Sequence, residues 1–173
     1  MRMSIVLIGY RGSGKTTIGR KLASRLWQDL IDTDQLIVTR AGKNIVHIFQ
    51  EEGEAYFRQM EADVVQETLR LQDVVISLGG GAVLREDNRE AIKASGHKVI
   101  YLRCHPQVLY QRLSADSGTG MMRPALTQYG GSMEEIQRMI DHREPMYRSV
   151  MTAELDVTNL SVDDAMVYIV RLL

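Results

Sequence analysis

Short runs of consecutive apolar residues alternate along this chain with apolar stripes spaced three and four positions apart. Runs typical of strands buried on both faces occur at 4–8, 73–78 and 98–102, and weaker strands are predicted at 30–34 and 154–157. The stripes predict helices over 15–27, 54–71, 85–95, 106–113, 132–150 and 161–169, and two short helices over 35–40 and 45–49. Strands that alternate with helices predict an α/β fold with one parallel sheet, formed as a single domain by residues 1–173.

The first strand leads directly into a glycine-rich loop. Residues 9–17 read G-Y-R-G-S-G-K-T-T and match G-x-x-x-x-G-K-[ST], the phosphate-binding P-loop. Lys15 would reach the β- and γ-phosphates of a nucleotide, and the Thr16 hydroxyl would bind Mg²⁺. A glycine-rich turn with an exposed lysine is the alternative, but the strand before the loop and the helix after it favour phosphate binding. The predicted nucleotide-binding residues are Gly12, Ser13, Gly14, Lys15, Thr16 and Thr17.

Two carboxylates follow the second strand. Asp32 and Asp34 are two residues apart, so on a strand they would point to the same side. Ligands gather at the carboxyl ends of strands in open α/β sheets, which would place both side chains in the crevice of the P-loop. The alternative is an aspartate-rich turn that caps the next helix.

Three further features indicate an anionic second ligand. Arg58 has Glu61 three residues later on the same helix, where it would hold the guanidinium, although a surface ion pair is the simpler interpretation. The glycines 79–81 at the end of a strand indicate close backbone approach to a ligand, or else a flexible turn. Arg143 falls in an apolar helical stripe, where a guanidinium needs an anion unless its stem extends to water.

A long segment without periodicity interrupts the pattern at 115–131, and five of its residues are glycine or proline. In a phosphotransfer protein such a segment is typical of a mobile lid that excludes water. Arg123 lies within it and would swing onto the phosphates.

Composition limits the partners and the location. The net charge of -1, from 21 basic and 22 acidic residues, gives no electrostatic reason to expect nucleic acid or anionic membrane as a partner. The single cysteine, Cys104, cannot form an internal disulfide and favours a reducing compartment. The N-terminal apolar run is too short for a signal segment, and no stretch approaches the length of a membrane span. We therefore expect a cytoplasmic protein, and a monomer.

Taken in order, these motifs resemble the shikimate kinases, which are P-loop proteins of the nucleoside-monophosphate-kinase-like class. The resemblance covers essentially the whole chain. It depends on the P-loop, the D-T-D pair at 32–34, F-R-x-x-E at 57–61, the triple glycine, R-P at 123–124, and Arg143 followed by Tyr147. It implies a three-layer α/β/α P-loop fold with a five-stranded sheet in the order 2-3-1-4-5, and ATP-dependent phosphorylation of shikimate in the pathway to chorismate and the aromatic amino acids.

The resemblance also implies a role for each site residue. Asp32 would help to hold Mg²⁺ through water, and Asp34 would bind the acceptor hydroxyl, as its base or only to position it. Arg58 and Arg143 would clamp the shikimate carboxylate, with Glu61 orienting Arg58. The residues implied to be catalytic are Lys15, Asp34 and Arg123, and the backbone groups implied to bind the acceptor are those of Gly79, Gly80 and Gly81.

Some points stay open at the level of sequence. The start of the lid reads S-A-D-S-G at 114–118 and lacks the arginine that often stacks on adenine in this family, so Arg112 is our hypothesis for that role. Another P-loop small-molecule kinase, for gluconate or a nucleotide, is the rival enzyme. A module that binds nucleotide without catalysis is the rival outside enzymes. Preference for ATP over GTP is not determined.

Overall fold

A five-stranded parallel sheet forms the centre of the protein. The computed structural model describes residues 3–115 and 132–173. The strands are Ile5–Ile8 (β1), Asp29–Asp32 (β2), Val74–Ser77 (β3), Lys98–Arg103 (β4) and Ala153–Asp156 (β5), and their order in the sheet is β2-β3-β1-β4-β5. Every neighbouring pair is parallel, with β2 and β5 at the edges. The predicted α/β class and strand order are confirmed.

The described residues include seven helices. They are Lys15–Leu26 (α1), Thr33–Ala41 (α2), Ile45–Thr68 (α3), Glu86–Ala94 (α4), Pro106–Ala115 (α5), Met133–Val150 (α6) and Val162–Leu172 (α7). A 3-10 turn at Ala82–Leu84 joins β3 to α4. In residues 3–115 and 132–173, no helix combines the length and apolar character that crossing a membrane requires.

The helices cover both faces of the sheet. Along β1, Ile5 and Leu7 pack into one cluster with residues of α1, α5 and α7. Val6 and Ile8 point the other way and pack into a second cluster with residues of α3 and α4. Because successive strand residues face opposite sides, this alternation produces the three layers. Helix α6 contributes to both clusters, with Ile136 and Ile140 in the first and Tyr147 and Val150 in the second.

Side-chain caps determine where several helices begin. Ser132 Oγ accepts from the Glu135 N–H at 3.2 Å at the start of α6, and Asn44 Oδ1 accepts from the His47 N–H at 2.9 Å at the start of α3. Such caps satisfy N–H groups that have no partner inside the helix. The predicted helix starts at these two residues are confirmed.

Helix α3 agrees with its prediction at Gly53 and differs from it at its end. Gly53 takes φ 85° and ψ 169°, a non-helical conformation that only glycine adopts readily, so a kink separates the short first part of α3 from the longer part that follows, as the sequence predicted. The helix ends at Thr68, so Leu71 lies beyond it and is 40% exposed. The predicted apolar stripe was therefore one turn too long.

Candidate active site

The P-loop connects β1 to α1, as the sequence predicted. Gly14 caps α1 with φ 92°, a left-handed conformation that favours glycine, and the helix N-terminus behind it adds partial positive charge. Lys15 is 8% exposed, and its Nζ donates to the carbonyl oxygens of Gly9 at 2.8 Å and Tyr10 at 3.0 Å. These bonds satisfy a buried ammonium group and hold it against the loop. The loop geometry therefore suits an anionic phosphate chain.

Asp32 joins the P-loop to the beginning of α2. Its Oδ2 accepts from Thr16 Oγ1 at 2.6 Å, and its Oδ1 accepts from the N–H groups of Asp34 and Gln35 at 3.1 and 3.2 Å. One carboxylate thus caps a helix and contacts the P-loop hydroxyl. The sequence left two interpretations of this aspartate turn, a helix cap and a group that faces the ligand crevice. The structure confirms the cap, and it places the same carboxylate against the P-loop.

The placement of Asp34 on a strand was wrong. Strand β2 ends at Asp32, and Asp34 is the second residue of α2. The cap at Asp32 starts the helix two residues earlier than the sequence pattern indicated, because aspartate is a strong helix N-cap. Asp34 lines the cavity described next, whereas Asp32 bonds to Thr16 of the P-loop and does not line that cavity.

A cavity beside the P-loop brings the second set of predicted residues together. Its empty space amounts to about 470 Å³, a volume that includes space open to solvent. Its lining residues are Arg11, Asp34, Ile45, Phe49, Phe57, Arg58, Glu61, Gly80, Gly81 and Arg143. Arg11, Ile45 and Phe49 were not predicted. Arg11 stands at a variable position of the P-loop motif, and the apolar pair matched an ordinary helix face, so neither carried a signal of its own.

Glu61 holds Arg58 at the cavity wall. Arg58 Nη1 donates to Glu61 Oε2 at 2.7 Å, and Arg58 Nε lies 3.3 Å from Glu54 Oε1. The Glu61 side chain is only 2% exposed. Burial raises the pKa of the Glu61 carboxyl, Asp34 adds to the rise, and Arg58 opposes it. A buried carboxylate that bonds a guanidinium fixes its orientation, which is more than a surface ion pair would do.

The glycine turn after β3 is crowded by charged side chains. A Cβ atom on Gly79 would lie 2.6 Å from Asp34 Oδ1 and 3.0 Å from Glu61 Oε1, and one on Gly81 would collide with the Arg58 guanidinium. The Gly79 N–H donates to Thr33 Oγ1 at 2.9 Å. A side chain at Gly79 or Gly81 would displace the Asp34 carboxylate or the Arg58 guanidinium from these positions. The close approach of a ligand to this turn stays a prediction.

Arg143 is buried in the middle of α6, with 3% exposure. Its Nη1 donates to the Gly80 carbonyl at 3.2 Å, and its guanidinium lies 5.5 Å from the centre of the Tyr10 ring. The stem does not extend to water, so the interpretation of this residue as a snorkelling surface arginine is wrong. The guanidinium lines the cavity together with Arg58.

Two other predicted groups lie outside this arrangement. Arg123, Pro124 and the rest of the expected lid beyond Ala115 lie outside the described residues. Arg112 lies beside the P-loop, with Nη1 3.3 Å from the Gly12 carbonyl oxygen and Nη2 3.4 Å from that of Val157. This position is compatible with the nucleotide side of the site.

A P-loop that opens beside a second, arginine-lined cavity defines a class of protein, the P-loop kinases that phosphorylate small molecules. A family model described as shikimate kinase matches residues 11–173. The chain belongs to the shikimate kinase family.

Individual relatives are similar to this chain over most of its length. The chain is 38% identical to a shikimate kinase of Rhodopirellula baltica over 167 residues, covering 96% of this chain and 88% of the relative. It is 42% identical to one of Chromohalobacter salexigens over 155 residues, covering 89% and 81%. Among solved structures, a shikimate kinase from Acinetobacter baumannii in complex with shikimate superimposes with a TM-score of 0.91 at 31% identity, covering 99% of this chain and 93% of that one.

Proposed function

We propose that this protein transfers the γ-phosphoryl group of ATP to the 3-hydroxyl of shikimate, giving shikimate 3-phosphate and ADP in the pathway to chorismate and the aromatic amino acids. Membership of the shikimate kinase family supports the reaction. The structural observation that carries the proposal is one cavity, adjoining the P-loop, in which Arg58, Arg143 and Asp34 meet.

The charge of the cavity supports an anionic acceptor. Three arginines line it, Arg11, Arg58 and Arg143, against the two carboxylates Asp34 and Glu61. Arg58 and Arg143 would clamp the shikimate carboxylate, because planar guanidinium groups form paired hydrogen bonds that set its angle. Glu61 and the Gly80 carbonyl hold the two guanidinium groups in place beforehand. Gly79, Gly80 and Gly81 would contribute backbone contacts to the acceptor ring.

Asp34 would receive the proton of the attacking hydroxyl, or at least position that hydroxyl. As the acceptor oxygen bonds to the γ-phosphorus, the bond from that phosphorus to the ADP oxygen breaks, and the proton leaves the hydroxyl. The protein's part is mostly positioning and charge stabilisation. Lys15 would move from the loop carbonyls to the phosphate oxygens, with Gly12, Ser13, Gly14, Thr16 and Thr17 forming the rest of the cradle. Arg123 would add charge from the lid.

The residues at the P-loop fit a magnesium ion. Thr16 Oγ1 and Asp32 Oδ2 are hard oxygen ligands, 2.6 Å apart at the junction of the loop and β2. Within 3–115 and 132–173 no group of three or more histidine, cysteine or carboxylate residues forms a metal cluster. Thr16 would bind the ion directly and Asp32 through water, as the family resemblance implies, with phosphate and water completing the shell. When bound, Mg²⁺ neutralises phosphate charge.

We make two further proposals, one on the location of the protein and one on its assembly. A pathway enzyme with one cysteine suits the reducing cytoplasm. We also propose that the protein acts as a monomer.

A coupled ADP-release assay tests the proposed function. Purified protein is supplied with ATP, Mg²⁺ and, in separate reactions, shikimate, quinate, gluconate or a nucleoside monophosphate. Turnover is expected with shikimate and should need Mg²⁺. A Lys15→Ala preparation purified in the same way controls for contaminating kinases. ADP release that does not depend on shikimate, or none with any acceptor, would contradict the proposal.

A further inference from the structure

The carbonyl of Gly80 accepts two hydrogen bonds from one helix. Tyr147 Oη donates to it at 2.6 Å and Arg143 Nη1 at 3.2 Å. The two donors are four residues apart on α6, so both point from the same helix face. A carbonyl oxygen has two lone pairs and can accept both bonds. The shorter bond, from Tyr147, comes from a residue that does not line the cavity.

The Tyr147 ring is held rigidly. It is 1% exposed and stacks on the ring of Tyr101, with the ring centres 5.0 Å apart and the planes at 19°. Burial raises the pKa of Tyr147, so the hydroxyl keeps its proton at physiological pH and stays a donor. A fixed ring with a permanent donor is a stable support for the glycine turn.

The bond to Gly80 orients the next peptide group. The Gly80 carbonyl and the Gly81 N–H belong to one trans peptide plane and point in opposite directions. Because the Gly80 carbonyl is hydrogen-bonded to side chains of α6, the Gly81 N–H points away from α6. A Cβ on Gly80 would lie 3.2 Å from the backbone nitrogen of Arg11, and the Gly81 position abuts the Arg58 guanidinium. The peptide thus lies between the P-loop and the arginine clamp.

We propose that Tyr147 is a positioning residue for the acceptor: through the Gly80 carbonyl it aims the Gly81 N–H into the acceptor cavity. This inference rests on the proposed function. Arg143 donates to the same carbonyl by a longer bond, 3.2 Å against 2.6 Å, and its other N–H groups remain for the acceptor's carboxylate. Tyr147 therefore supplies the shorter of the two bonds that orient the peptide.

The simpler interpretation is that the hydroxyl only satisfies a buried polar group in the core. The two interpretations differ in what Tyr147→Phe does. Loss of the hydroxyl lets the turn sample other orientations, and apparent affinity falls with the fraction of time spent in the competent one. We expect the KM for shikimate to rise about tenfold, with kcat and the KM for ATP changed less than about twofold. A purely structural role would lower Tm without this separation.

Tyr101→Phe is the matched control, since it removes a hydroxyl from the stacked partner ring, which is 3% exposed and does not line the cavity. We expect it to leave the KM for shikimate unchanged. If wild type turns over shikimate and Tyr147→Phe has the same KM as Tyr101→Phe, the inference is overturned and the proposed function stands. If wild type turns over no shikimate, both are overturned.

A crystal structure of the wild-type protein with shikimate gives a second test that does not depend on a variant folding. The inference requires Tyr147 Oη to remain bonded to the Gly80 carbonyl and the Gly81 nitrogen to lie within about 3.2 Å of a shikimate oxygen. A Gly81 nitrogen that faces away from the ligand would overturn it.

Discussion

Replacing Arg143 with lysine tests the carboxylate clamp directly. The side chain is 3% exposed, its Nη1 is 3.2 Å from the Gly80 carbonyl, and its guanidinium lies over the Tyr10 ring. Lysine keeps the positive charge but replaces a planar fork with a single ammonium group. Residue 143 is proposed to donate two hydrogen bonds to the acceptor carboxylate, and lysine would keep only one of them.

The size of the effect follows from the strength of that bond. A hydrogen bond to a charged group contributes about 1.5–3 kcal/mol. At 1.4 kcal/mol per factor of ten, its loss should raise the KM for shikimate about 10-fold to about 150-fold. The KM for ATP should change less than about threefold, because Lys15 and the loop backbone are untouched. The buried ammonium also loses part of its packing, so the free energy of unfolding should fall by about 1–3 kcal/mol.

Steady-state kinetics with each substrate varied in turn measures both KM values, at a temperature well below the Tm of the variant. Arg148→Lys is the matched control. It lies on the same helix, its side chain is 44% exposed, and it pairs with Glu144 rather than lining the cavity. Equal increases in KM for shikimate and ATP, or an effect of Arg143→Lys no larger than that of Arg148→Lys, would refute the clamp.

Three further predictions concern other parts of the site. Asp34→Asn should lower kcat about 100-fold or more with the circular dichroism spectrum unchanged. Asp63→Asn, on the exposed side of α3, is the control and should leave kcat unchanged. A near-normal kcat for Asp34→Asn would exclude an essential base. Because burial raises the Glu61 pKa above its ordinary 4.5, the stability from this group is present at lower pH and lost as pH rises through the raised pKa. The free energy of unfolding of wild type minus that of Glu61→Gln, from urea titrations, should therefore fall as pH rises from about 4.5, and a rising difference would contradict this direction. Arg112→Ala should raise the KM for ATP severalfold and leave that for shikimate unchanged; unchanged ATP affinity would remove Arg112 from the adenine site.

Local patterns in the sequence were sufficient for most elements of the fold and for the P-loop. Apolar runs predicted the three central strands, and the capping residues Asn44 and Ser132 predicted helix starts. These signals act over a few residues, since a cap or a glycine conformation depends only on its neighbours. The F-R-x-x-E spacing also predicted the Arg58–Glu61 pair correctly, because residues three apart on a helix are adjacent.

The tertiary structure decided which side chains meet at the acceptor cavity. Tyr147 and Arg143 reach Gly80 across 67 and 63 residues of chain, and no local pattern encodes that contact. It arises because α6 packs against β4, α4, α5 and the 3-10 turn that follows β3, segments that are distant in sequence. The tertiary structure also shows that Arg143 is buried rather than snorkelling, and it places Arg11 of the P-loop and Ile45 and Phe49 of α3 at the same cavity. By itself the sequence predicted a phosphate-binding loop and named the charged residues that were candidates for the site. Only the long-range packing of the helices on the sheet brought Asp34, Arg58 and Arg143 to one cavity beside that loop, because contacts between distant segments depend on the whole fold.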